Sequence, residues 1–197
     1  RSELNETPQK LIVELCKCVQ NYPLVLQQAD AYIKLNQGVG DESYGIREYL
    51  LELNLDNSKV LDHEIPLTGY EHTIIRVFEL TLSKILSVPN NKALSLLQIL
   101  SLVQPDGIKK EFLKELFSIF ELEELFESSL STLKSLSLIW VNSGEIFVHR
   151  IVQKLTRDKI ISEYKFNLVI NKILLKLKTD SLKSKDIFHV IQIWNNT

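Results

Sequence analysis

Leu136-Ser137-Leu138-Ile139-Trp140-Val141-Asn142-Ser143-Gly144-Glu145-Ile146-Phe147-Val148-His149-Arg150-Ile151-Val152-Gln153 passes from one apolar rhythm to another. Alternation at Leu136, Leu138 and Trp140 predicts a strand, Asn142-Ser143-Gly144 a turn and Ile146-Phe147-Val148 the returning strand, while Val152 and Leu155 open a helical spacing. His149 stands where strand gives way to helix. A helix N-terminus presents backbone N–H groups and a partial positive charge, so an imidazole beside it can help to hold a phosphate. From these residues alone the alternative stays open: a packed histidine satisfied by a single hydrogen bond.

The chain has 197 residues, 45% hydrophobic and 24% charged, enough to bury a substantial core in one large or two small domains. No stretch approaches the roughly 18 uncharged apolar residues of a membrane span, and Arg1-Ser2-Glu3-Leu4-Asn5 has no signal-peptide core, so a soluble, cytoplasmic protein is expected. Cys16 and Cys18 lie two apart in a helical stretch, on different sides, which predicts reduced thiols rather than a disulfide or metal site. The absence of methionine, an initiator included, points to an excised fragment. With no Gly-x-x-x-x-Gly-Lys-Ser/Thr segment, it is no complete phosphate-loop ATPase.

Working back to the start, Thr7-Pro8 reads as a capped helix beginning, continued by Leu11, Ile12, Leu15, Cys16 and Val19. After the break at Asn21-Tyr22-Pro23, a helix rich in small and apolar residues (Val25, Ala29, Ala31, Ile33) runs to about Leu35. Gly38-Val39-Gly40-Asp41 ends it, and Asp41 is expected to cap a third helix with Ile46, Tyr49, Leu50 and Leu53. Residues 56 to 70 lack a sustained period and form the best internal linker. Ile74, Phe78, Leu82 and Ile85 then mark a helix halted before Pro89, and residues 92 to 103 are apolar nearly all round, as in a central helix. Beyond the Pro105-Asp106-Gly107 turn come a helix from Ile108 through Phe112, Leu113 and Leu116, another with Leu122, Leu125, Phe126, Leu130 and Leu133, and the hairpin.

Three helices and a two-stranded hairpin make the winged-helix order, which raises the question of DNA. Residues 121 to 134 carry four acids (Glu121, Glu123, Glu124, Glu127) against Lys134, and residues 105 to 150 carry eight acids against five bases. Phosphate contacts from Lys and Arg supply most of the affinity for a duplex, so this balance disfavours DNA. Residues 151 to 197 reverse it with nine bases and four acids, spread around two amphipathic segments (Phe166, Val169, Ile170, Ile173, Leu174, Leu177; then Ile187, Val190, Ile191, Trp194) joined by Lys178-Thr179-Asp180-Ser181. They read as a helical hairpin that begins a repeat region.

Several segments carry a family resemblance. Asn21-Tyr22-Pro23-Leu24-Val25-Leu26-Gln27-Gln28-Ala29-Asp30-Ala31-Tyr32-Ile33 is similar to the Gly-Leu-Pro-Leu-Ala-Leu segment of NB-ARC nucleotide-binding proteins and the small-residue helix after it. Val77-Phe78-Glu79-Leu80-Thr81-Leu82 resembles the entry to their winged-helix domain, Pro105-Asp106-Gly107-Ile108 the turn after its first helix, and Val148-His149-Arg150-Ile151-Val152-Gln153 its closing phosphate-sensing motif, in the form found before tetratricopeptide repeats. The matches run in order from residue 8 to about 157. Asn21 and Tyr22 depart from the usual Gly-Leu, and Arg150 replaces an aspartate common after the histidine.

The resemblance implies the regulatory half of a STAND-class signalling ATPase, in which ADP holds a closed form and ATP permits assembly. It places Pro23 against the adenine and His149 at the β-phosphate. ADP or ATP would be bound by the intact protein and not by this fragment alone. Its partners would be an upstream nucleotide-binding domain, other copies on activation, and a protein taken by the repeats, with no membrane and no DNA. The expected architecture is mostly α: a helical domain over 1–57, a linker over 58–70, a winged-helix domain over 71–160 and a helical hairpin over 161–197. His63, His72 and His189 have no metal-ligand spacing, no serine lies in Gly-x-Ser-x-Gly, and no cysteine neighbours a candidate general base, so no catalytic or metal residue is expected. The competing readings are a winged-helix transcription regulator and a helical protein-interaction scaffold.

Overall fold

A computed structural model describes residues 7–38, 45–54, 69–88, 92–118, 120, 122–160 and 171. The described chain is mostly α-helical with one small antiparallel sheet. It divides into two compact units, residues 1–83 and 84–197.

The first unit holds α1 (Pro8–Cys18), α2 (Pro23–Gly38), α3 (Ile46–Asn54) and most of α4 (Gly69–Ser87). Thr7 is the residue before α1, with Pro8 at the first helical position as expected, but its side chain makes no capping hydrogen bond. α1 closes through Gln20 and Asn21, whose N–H groups donate to the carbonyls of Lys17 (3.1 Å) and Cys16 (2.8 Å) with φ of 52° and 57°. This is a Schellman closure with glutamine where glycine is commonest. α2 buries Val25, Gln28, Ala29, Ala31, Tyr32 and Ile33, and α1 and α2 both pack on α3 through its buried Tyr49 and Leu50. α3 begins at Ile46, where the Gly45 N–H donates to Glu48 Oε2 (2.8 Å). The expected cap Asp41 lies outside the described residues. α4 buries Ile74, Ile75, Val77, Phe78, Thr81 and Ile85, and Arg76 Nη2 donates to the Glu52 carbonyl of α3 at 3.1 Å. The expected linker over 58–70 lies almost wholly outside the described residues.

The second unit runs α5 (Ala93–Leu100), β1 (Ile108–Lys109), α6 (Lys110–Ser118), a 3-10 turn (Glu123–Leu125), α7 (Phe126–Ser135), β2 (Ile139–Asn142), β3 (Glu145–Val148) and α8 (Arg150–Ile160). This is the winged-helix order. α5 is its centre: Ala93, Leu96, Leu97 and Leu100 are fully buried, against α6, α7 and α8. The sheet order is β1-β3-β2, antiparallel throughout.

The structure departs from the sequence expectation at two places. Ile108 does not start a helix; it pairs with Ile146 of β3, adding a third strand to the expected two. Gly107 (φ 64°) turns the chain into that pairing, and two residues are too short a run to show a strand period. The alternation Leu136, Leu138, Trp140 is not one strand face either. Ser137 has φ 54°, the strand begins only at Ile139, and the shift puts Ile139 inward and Trp140 outward, 49% exposed. The turn is as expected: Ser143 (φ 51°) and Gly144 (φ 82°) occupy the left-handed region that two-residue hairpin turns favour, with Asn142 opposite Glu145. The hairpin expected over 161–197 lies, apart from residue 171, outside the described residues.

Candidate functional site

His149 lies in the single residue between β3 and α8, half-buried. Its Nδ1 accepts the N–H of Ile151 at 3.2 Å, and its carbonyl accepts the N–H of Gln153 at 3.1 Å. The ring is therefore the N-cap of α8, with an imidazole nitrogen in the place usually taken by a serine or aspartate oxygen. A nitrogen that accepts a hydrogen bond carries no proton, so in the neutral ring the proton sits on Nε2. His149 thus offers one N–H donor beside a helix N-terminus. Arg150, the first residue of α8, is exposed and adds a cation there.

Farther along α8, two side chains grip the end of α5. Gln153 is buried, and its Nε2 donates to the carbonyls of Leu100 and Val103, both at 2.7 Å. Arg157 Nη1 donates to the Ser101 carbonyl. Burial lowers the Arg157 guanidinium from its ordinary pKa, while neighbouring Asp158 opposes the shift. The last carbonyls of a helix have no partner within it, and these are sealed from water, so donors must come from elsewhere in the protein. Gln153 belongs to the motif singled out in the sequence, but its bonds span 53 and 50 residues and no local pattern announces them.

Pro23, in the first unit, is the exposed first residue of α2. Asn21 takes the left-handed backbone (φ 57°) that a glycine there would adopt without cost. Tyr22, just before the proline, is half-buried.

Two features escaped the sequence reading. On the outer face of the hairpin, Trp140 and Phe147 stand opposite each other and stack with ring centroids 5.2 Å apart and planes 8° from parallel. In the first unit, Tyr32 donates to Glu52 Oε2 (2.9 Å) and its ring meets that of Tyr49 at 5.5 Å. Burial first, and then the Glu52 carboxylate, push the Tyr32 hydroxyl up to about 12. The Tyr49 hydroxyl is pushed up more, chiefly by burial.

The acids of the third winged-helix segment are partly engaged within the unit: Glu127 pairs with Lys110 at 2.9 Å and Glu123 with Lys114 at 3.3 Å. Cys16 and Cys18 are free, and burial raises the Cys18 thiol from its ordinary value, with Glu14 adding to it. His72 is exposed; His63 and His189 lie outside the described residues. Among the described residues no cluster of His, Cys, Asp or Glu is arranged to hold a metal, and no helix is long and apolar enough to cross a membrane.

Fold and site together define a winged-helix unit whose closing helix is capped by a histidine. Residues 86–165, which include α5 through α8, match the profile of a family described as a domain of unknown function (DUF7779). Neither the curated proteins nor the solved structures contain a significant match to the chain.

Proposed function

We propose that the chain is the nucleotide-sensing regulatory part of a STAND-type ATPase switch. It clamps ADP from the side opposite an upstream phosphate-loop domain and changes domain arrangement when the phosphate count changes. The observation that carries this reading is the cap at His149. With Nδ1 occupied by the Ile151 N–H, the neutral ring presents Nε2–H as a donor, which is what a terminal phosphate oxygen requires. The N-terminus of α8 and the Arg150 cation supply a favourable field for the same anion. The chain itself contributes binding and sensing, not a catalytic group.

A hydrogen bond from His149 to a charged phosphate is worth about 1.5–3 kcal/mol, or roughly ten- to hundredfold in affinity. Calorimetric titration of ADP into the longer chain carrying the phosphate-loop domain tests it. His149→Ala is expected to weaken ADP by that factor and to release the active form; unchanged affinity refutes the reading. Among the competing readings, a transcription regulator requires binding to mixed-sequence duplex at physiological salt. The engagement of Lys110 and Lys114 by Glu127 and Glu123 weighs against it.

A further inference from the structure

We infer that Gln153 is the positioning residue for His149: its side-chain amide locks α8 to the open end of α5 and so sets where the imidazole is aimed. The inference rests on the proposed nucleotide role only for its effect on ligand affinity; the positioning itself stands on the geometry of the unit.

α5 ends at Leu100, and the carbonyls of Leu100 and Val103 belong to residues that are 0% and 4% exposed. Both accept from the one Nε2 of Gln153 at 2.7 Å. An amide nitrogen has two hydrogens fixed in a plane, so satisfying two carbonyls at once fixes both the side-chain torsions and the roll of the helix that carries it. Arg157 adds one bond to Ser101 a turn later, farther from the N-terminus of α8. Gln153 is the member of this pair that bears on His149. The two residues are one turn apart, the Gln153 N–H donates to the His149 carbonyl, and the ring of His149 in turn holds the Ile151 N–H between them. The end of the central helix is therefore tied to the imidazole through Gln153 and one turn of α8 backbone. An apolar residue at 153 leaves two buried carbonyls without donors, and α8 must shift or admit water to satisfy them.

The test uses the 197-residue chain labelled with 15N, observing the ring nitrogens of His149 and the Ile151 amide at a pH where the ring is neutral. The wild type is expected to show the pure Nε2–H tautomer. Gln153→Met, matched in length, is expected to move the ring signals toward the mixed tautomers of a free histidine and to shift the Ile151 amide. Leu130→Ala, which opens a cavity under α7, is the control for general loosening and is expected to leave both signals in place. Wild-type signals in folded Gln153→Met overturn the proposal, as does an equal response to Leu130→Ala. If the methionine variant does not fold, Gln153→Lys, which retains an N–H donor for the same carbonyls without the planar fork, is read against the same two outcomes.

In the longer chain, Gln153→Met is expected to weaken ADP about tenfold, the equivalent of one hydrogen bond to a charged group. If His149→Ala leaves ADP binding unchanged, the nucleotide reading fails while the ring signals still decide the positioning role. If His149→Ala weakens ADP and Gln153→Met alters neither ring nor affinity, the positioning role alone fails.

Discussion

His149 caps α8 and, in the function proposed, presents Nε2–H to a phosphate, and a pair of substitutions pulls the two apart. Alanine removes both. Asparagine keeps a short acceptor able to take the N–H of the second helical residue, and is among the best N-caps, but cannot place a donor where Nε2 stands. The cap is one hydrogen bond of 3.2 Å at a half-buried site, so its loss is expected to cost about 1 kcal/mol, the usual value for replacing a capping side chain by alanine. In a unit of this size that corresponds to about 4 °C in the melting midpoint. Urea unfolding of the 197-residue chain, followed by far-UV circular dichroism, measures it. His149→Ala is expected to lower the stability by that amount, and His149→Asn to stay within about 0.5 kcal/mol of the wild type. Equal losses in both variants would refute the capping assignment, because they would mean that the ring stabilises the unit by packing alone. Equal retention would refute it too, since the Ile151 N–H would then lose its acceptor at no cost.

Other substitutions probe the unit around the site. Ser129 of α7 is fully buried and its hydroxyl has no hydrogen-bond partner, so Ser129→Ala is expected to raise the stability by about 1 kcal/mol through relief of the unsatisfied group and better helix propensity; a decrease in thermal midpoint would contradict this. At the hairpin tip, Gly144 has φ 82° and open space around an added Cβ. Gly144→Ala therefore meets no clash and is expected to cost about 1 kcal/mol from backbone conformation alone, measured by urea unfolding; no loss of stability would contradict the turn geometry.

The parts of the fold legible in the sequence were those written in local chemistry. Pro23 following a chain break announced α2, the apolar run 92 to 103 announced the buried α5, and Asn142-Ser143-Gly144 announced the turn. Errors arose where a single backbone angle or a distant pairing overrode the pattern. Ser137, in the left-handed region, resets the alternation and turns Trp140 outward, and no periodicity count registers one such residue. The apolar side chain of Ile108 fits a helical period, whereas its place is set by Ile146, thirty-eight residues later. The candidate site divides the same way. The junction that puts His149 before α8 could be read from residues 146 to 155, but the contact between Nδ1 and Ile151 is a choice of rotamer, and the grip of Gln153 on α5 is a choice of tertiary partner.

ADP affinity of the longer chain bearing His149→Asn, set against the same chain bearing histidine, tests the central claim most directly, because asparagine preserves the cap and removes only the Nε2–H donor. Binding weaker by roughly ten- to hundredfold at unaltered stability is the expected result. Affinity equal to that of the wild type would contradict it.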